Sequence, residues 1–530
     1  MASHTESDSL LVDTLSGPVV GFIDTFPLSE RSTANSSAPG SRAPVSKWLG
    51  MWERPSDPDE WKYVLECTEF GPSFPQGPSP FDKLYKDKEG WLSREFLGQS
   101  EEAFTVNVFA PSGQRENLPV LVGENMVEIS TRALPTPQSM IQQSLFVTRL
   151  GSGTQSWSLP ATTGILPTCC YDNLLADMAD RVGILGFLAT KDLVDVNGHV
   201  GNFGLSLSPV LVFTAHCQGL HDCIKMFEWT RKNIAAFGGN PNNVTAIGES
   251  AGAFAISMLL HSQRRLFQKV ILESGSQMVM SQRKEPFFPV YDKLLESVGV
   301  DNASDGSGPK ERVEALKRVS AERLVNATSR LYFRGIWGIT SDPNEPGWDV
   351  SMWHQLERGH YDPWITAAII SINKDEGTIF CEKGKASLLH TKPTISLTNC
   401  LSGRKMKVYA CQFETIPQRL FEGNEHLGIL HTGEIPFVFN TASLWDYDEN
   451  HADTKTALAV GIRWSSFAQS GDPVTDRSFW AGWPAYTAKR GEMVVVKQGG
   501  AFLPGNLNEL RKEHREFWEP VNSEASRAFI

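Results

Sequence analysis

Short apolar runs alternate with longer amphipathic ones along most of this chain. Leu10 to Phe26 has the alternation of short strands, with Gly17 and Gly21 marking a hairpin-like pattern. Ser29 to Pro44 is rich in Ser, Gly and Pro and reads as a surface loop. Phe104–Phe109 and Leu118–Val122 are short β-branched runs of the kind that form buried strands. From Cys223 to Ala236 the pattern is helical, and Gly238–Gly239 follows where a C-cap is expected. Val244–Ile247, Phe267–Glu273 and Trp364–Ile372 read as further strands, and Gly252–Leu260 and Glu311–Val325 as helices. Strands alternating with helices predict an α/β protein with a central, mostly parallel sheet flanked by helices. No internal repeat or interdomain linker interrupts the pattern. Residues 1–10 read as a loose tail and 11–530 as a single domain, irregular at 124–180 and 206–220.

Composition narrows the function classes. The 530 residues are 41% hydrophobic and 21% charged, which suits a globular enzyme and excludes collagen-like or wholly disordered chains. The 49 Lys+Arg against 61 Asp+Glu leave a net charge of −12, so nucleic acid is not an expected partner. No apolar run approaches the roughly 18 residues that a membrane helix needs. The polar opening MASHTESDSL lacks the apolar core of a secretory signal. The eight cysteines form no CxxC pair and have no histidine at zinc spacing. Together these features predict a cytoplasmic protein with reduced thiols and no metal.

The main chemical signal is Gly248-Glu249-Ser250-Ala251-Gly252, a G-x-S-x-G string. Alone it is weak, and a tight turn with a capping serine is the plain alternative. Its setting strengthens it, because an apolar strand (Val244–Ile247) precedes it and an apolar helix (Phe254–Leu260) follows. That is the strand–turn–helix context of a nucleophile elbow. A serine held in a strained turn needs small neighbours, or the turn clashes with the adjacent strand and helix. Ser250 Oγ would then stand at a helix N-terminus, where backbone N–H groups stabilise an oxyanion.

The run Asn233-Ile234-Ala235-Ala236-Phe237-Gly238-Gly239-Asn240-Pro241, leading into Val244-Thr245 and the elbow, resembles the carboxylesterase/cholinesterase family of α/β-hydrolases. Arg181–Leu188, Lys374-Asp375-Glu376-Gly377-Thr378, Glu434–Phe439 and Trp464–Ala468 with Gly471-Asp472-Pro473 are similar to other blocks of that family. The resemblance implies an α/β-hydrolase fold with triad order Ser, acid, His. It assigns Ser250 as nucleophile, Glu376 as acid and His431 as base, with Asp375 and His426 as local rivals. The Ser250–Glu376 separation of 126 residues fits the family. It also implies an oxyanion contact from the Ala251 N–H, a substrate-contacting place for Glu249 beside the serine, and no cofactor. The expected reaction is hydrolysis of a small-molecule carboxylic ester through an acyl-enzyme. Resemblance to cytosolic microbial esterases suggests acyl chemistry on a specialised metabolite.

The chain also departs from the family pattern. After Leu118-Pro119-Val120-Leu121-Val122 the family has His-Gly-Gly, whose amides form most of the oxyanion hole; here Gly123-Glu124-Asn125-Met126 follows. Over Glu124–Cys170, 21 of 47 residues are Ser, Thr, Gln or Pro. Gly151-Ser152-Gly153 is the nearest substitute source of amides. Trp48–Met51 joins Trp52–Pro55 directly, without the family's proline-rich stretch, and Ser206–Leu220 intervenes before His221-Asp222. The Glu376–His431 gap of 55 residues is about half the family's usual length. Phe74 and Ala103 stand where the family places its first disulfide, in keeping with a reducing compartment.

Two alternatives to an active esterase follow from these breaks. One is a non-catalytic relative that binds partners or small molecules without a complete oxyanion hole. The other is a faulty gene model, in which a retained intron, a frameshift and skipped exons produce the insertion, the altered block and the missing block. A spliced transcript that departs from this reading frame at 124–180 and 206–220 is the expected result if the gene model is at fault; a transcript that matches it throughout excludes that origin.

Overall fold

The computed structural model describes residues 9–25, 37–44, 56–67, 72–75, 99–110, 116–125, 144–148, 157–161, 174–178, 183–188, 192, 218–276, 288–300, 308–330, 355–379, 391–403, 406–439, 448–474 and 482–512, with single-residue breaks in some ranges. Strands β1 (Ser9–Asp13) and β2 (Pro18–Thr25) open the chain as an antiparallel hairpin. Ser9 and Leu10 therefore belong to a sheet rather than to a loose tail, opposite Phe22 and Gly21.

β3 (Ser37–Pro44) corrects the reading of that segment as a loop. Its first half pairs with β2 and its second half with β5 (Thr105–Phe109), both antiparallel. Because the two ladders do not overlap, Pro39 and Pro44 can lie in the strand although neither donates a hydrogen bond. Pairing overrides a composition that locally favours turns. β4 (Leu65–Glu66) joins β2 in parallel.

The central sheet continues with β6 (Leu118–Asn125) and β9 (Leu174–Met178), while β7 (Ser144–Thr148) and β8 (Trp157–Ala161) form a separate two-stranded ribbon. β9 lies between β5 and β6, antiparallel to the first and parallel to the second. The segment read as irregular thus supplies an inner strand, which five residues interrupted by Asp177 had not advertised. Next come β10 (Gly239–Glu249), β11 (Lys269–Glu273), β12 (Ala367–Asn373), β13 (Lys407–Phe413), β14 (Glu492–Lys497) and β15 (Ala501–Asn506). Seven strands run parallel in the order β9-β6-β10-β11-β12-β13-β14, and β15 closes this edge antiparallel.

The helices are α1 (Gly183–Phe187), α2 (Gln218–Asn233), α3 (Ala251–Leu259), α4 (Phe288–Ser297), α5 (Pro309–Lys317), α6 (Ala321–Arg330), α7 (Thr391–Ser402), α8 (Gln418–Phe421), α9 (Ile435–Val438) and α10 (Ala452–Ser470). α2 begins inside 206–220, so Gln218–Leu220 are helical; 206–217 lie outside the described residues. After α2 a 3-10 turn ends at Gly238 with φ 87°, the left-handed stop that its glycine permits. The helix expected over Glu311–Val325 is two helices, because Ser320 Oγ accepts from Arg323 N and starts α6.

Strand residues alternate between two cores. Val244, Ala246, Val270, Leu272, Ala368 and Ile370 pack beneath α2, α3 and α7, while Ile247, Ile271, Ile369, Tyr409 and Phe413 face α9 and α10. Both faces are covered, which is why β11 and β12 are buried along their whole length. A small separate cluster joins Phe74, Ala103 and Phe104, with the two rings edge-on at 4.8 Å.

Candidate active site

β10 ends at Glu249 and α3 starts at Ala251, leaving Ser250 as the hinge with φ 53° and ψ −119°. A non-glycine residue held there costs about 1–3 kcal/mol, which the surroundings must offset. The Ser250 N–H donates to the Glu273 carbonyl at 2.8 Å, and the Ser250 carbonyl accepts from Phe254 N at 3.0 Å. Gly275 passes directly under the bend. A Cβ there would fall on the Ser250 carbonyl oxygen and lie 2.8 Å from its carbon. The glycine is therefore required by close approach, and Ser274 before it also has a positive φ of 53°.

Glu376 follows β12 and opens a 3-10 turn, Glu376–Ile379; His431 lies in the turn ahead of α9. The structure brings these distant residues together. Ser250 Oγ is 2.8 Å from His431 Nε2, and Glu376 Oε2 is 2.5 Å from His431 Nδ1. His431 is fully buried and Glu376 nearly so. Glu249 is fully buried too, and its Oε1 lies 3.4 Å from His431 Nε2. Ala251 opens α3, so its N–H is one of the first-turn donors that the helix itself does not bond.

Neither Asp375 nor His426 lies on this line. The Asp375 carboxylate accepts from Ile429 N at 3.0 Å and caps the turn before His431, and His426 is exposed. Glu124 and Asn125 stand at the end of β6 directly opposite Gly248 and Glu249. The position where the glycine loop would begin is therefore abreast of the elbow. Met126–Gln143 and Gly151-Ser152-Gly153 lie outside the described residues.

The sequence reading missed a layer of buried polar residues behind this line. Ser274 Oγ donates to Glu434 Oε1 at 2.9 Å, Asn373 Nδ2 donates to Glu434 Oε2, and Trp464 Nε1 donates to Glu273 Oε1 at 2.9 Å. Burial raises the Glu249 carboxyl well above the usual range, reinforced by Glu434, Glu376 and Glu273. Burial likewise raises Glu273, with Glu434 adding to it and the Trp464 bond opposing it. Glu434 is pushed up to about 7, first by burial and then by the Glu376 charge, against the pull of His431 and Asn373. Carboxyls confined together in a low dielectric hold protons rather than repel one another. The signal for Glu434 was its place three residues after His431; nothing in local pattern marked Glu273 or Ser274. Among the described residues no group of three or more His, Cys, Asp or Glu side chains is arranged to hold a metal ion.

The sequence profile of the Carboxylesterase family matches residues 8–208, 214–389 and 385–518. This chain belongs to the carboxylesterase family. It is 25% identical over 508 residues to the para-nitrobenzyl esterase of Bacillus subtilis (strain 168), covering 86% of this chain and 90% of that one. Against the acetylcholinesterase of Bungarus fasciatus it is 23% identical over 530 residues, covering 88% and 79%. A solved thermophilic PNB esterase superimposes with TM-score 0.68 at 21% identity, over 95% of this chain and 99% of that one. The fold is the α/β-hydrolase fold, and this carboxylesterase is a serine carboxylic-ester hydrolase by class. Among the described residues no helix is long and apolar enough to cross a membrane.

Two outcomes follow. Gly275→Ala should displace the elbow, lowering stability by about 1–3 kcal/mol in urea unfolding and slowing fluorophosphonate labelling of Ser250 at least roughly tenfold. Glu434 keeps its proton to about pH 7 when folded, against 4.5 in the unfolded chain. The resulting stability is complete below 4.5 and lost as pH rises to about 7. Glu434→Gln should therefore flatten the decline in unfolding midpoint across that window relative to the wild type.

Proposed function

We propose that this carboxylesterase hydrolyses a small-molecule ester through an acyl-enzyme, with Ser250 as nucleophile, His431 as base and Glu376 as the acid that orients it. The observation that carries this reading is the unbroken line from Ser250 Oγ through His431 to Glu376, at 2.8 and 2.5 Å. Ser250 Oγ attacks the ester carbonyl while His431 Nε2 takes its proton; His431 then returns that proton to the departing alkoxide. Water repeats the steps against the acyl-serine and releases the acid. Glu376 stabilises the imidazolium formed in each half-reaction. The Ala251 N–H, at the positive end of α3, receives the oxyanion. Glu249, its carboxyl raised well above the usual range by burial, lies against the same imidazole, and we assign it the substrate-contacting place beside the serine. A specialised-metabolite ester is the substrate class we favour, in a cytoplasmic setting. An apolar cluster of Phe74, Ala103 and Phe104, where the family resemblance places a disulfide, accords with a reducing compartment.

One observation favours a second reading, a binding protein without turnover: Gly123-Glu124-Asn125 replaces the glycine loop beside the elbow. Loss of one oxyanion donor costs about 3–4 kcal/mol in the transition state. Fluorophosphonate labelling with peptide mapping separates the two. An adduct on Ser250, absent from Ser250→Ala, is the expected result. Folded protein that gains no adduct would sink the hydrolase reading.

A further inference from the structure

Asn373, the last residue of β12, is 1% exposed and bonds both the proposed acid and the turn that carries His431. Its backbone N–H donates to Glu376 Oε1 at 2.5 Å. Its side-chain Nδ2 donates to the Leu430 carbonyl at 2.9 Å and also to Glu434 Oε2. Leu430 immediately precedes His431, and Glu434 follows three residues later. Both side-chain partners are acceptors, which fixes the orientation of the amide.

We propose that Asn373 is the positioning residue of the triad, holding the acid and the histidine-bearing turn in one register. The inference rests on the Ser-His-Glu reading and deepens it. Glu376 and His431 sit on separate segments 55 residues apart in the chain, and neither is on a regular helix or strand. A residue that only ended β12 would need its backbone alone. Asn373 instead spends its backbone donor on the acid and both side-chain hydrogens on the turn. Alanine would leave two buried acceptors without this donor, and aspartate would set oxygen against oxygen once ionised.

The titratable groups bonded to Asn373 are Glu376 and Glu434, with His431 on the same turn as Glu434; Glu249 and Glu273 at the ends of β10 and β11 act electrostatically with these carboxyls, as do Cys411 on β13 and, through it, Arg463 on α10. An aspartic acid placed there stays neutral at low pH and donates to one acceptor. As it ionises, that support is lost and replaced by repulsion.

The test compares wild type, Ser250→Ala, Asn373→Ala and Asn373→Asp on p-nitrophenyl acetate, with active sites counted by fluorophosphonate. Asn373→Ala should lower kcat per folded molecule roughly 100-fold, as a misplacement of about 1 Å does, while KM stays within about threefold. Asn373→Asp should retain more activity at low pH and gain a descending limb in kcat/KM that wild type lacks. A merely structural role would reduce the folded fraction without bending the pH profile. The proposal falls if both variants keep kcat within about threefold of wild type with an unchanged profile. If Asn373→Ala does not fold, the nearly isosteric Asn373→Asp decides alone by its profile. Wild type that hydrolyses and labels no better than Ser250→Ala overturns the triad reading itself, a result distinct from active wild type with indifferent Asn373 variants.

Discussion

The bend at Ser250 is the constraint on which the rest of the site depends. A serine at φ 53° is unfavourable by itself, so its neighbours must make every other conformation worse. The parallel pairing of β10 with β6 and β11 holds the incoming strand, and the Glu273 carbonyl takes the Ser250 N–H. Gly275 leaves room beneath, and α3 carries the chain away over a buried apolar face. Only then does Oγ meet an imidazole delivered from 181 residues further along.

Electrostatics imposes a second order on the same space. Four glutamates, Glu249, Glu273, Glu376 and Glu434, are buried around one histidine. Their separate charges could not coexist there at low dielectric, and burial raises three of them above the usual carboxylate range. Glu376 differs in its partners: it accepts from the Asn373 N–H on one oxygen and faces His431 with the other.

These contrasts explain what could be read from the chain alone. The long buried strands were legible because both faces of the sheet are covered, so Val244–Ile247 and Trp364–Ile372 are apolar almost throughout. Ser250, Glu376 and His431, which the structure brings onto one line, each sit in a motif that fits within a few residues. β3 and β9 were not legible, since their strand character comes from pairing and not from composition. Ser274, Glu273 and Asn373 stayed hidden for a related reason. Each lies at or just past a strand end and has a side-chain partner distant in sequence, at 160, 191 and 57 residues for Glu434, Trp464 and Leu430 respectively.

The packed contact between Phe74 and Phe104 has a consequence for the chain before it folds. A covalent bridge at this place would act mainly by limiting the denatured ensemble, since the loop it closes stays closed after unfolding. Two aromatic rings stabilise only the native arrangement and leave the denatured segment free to explore. The stretch between them therefore acquires its closure from folding itself. No oxidant or isomerase is needed to set its partners, and the contact weakens on cooling as apolar burial does.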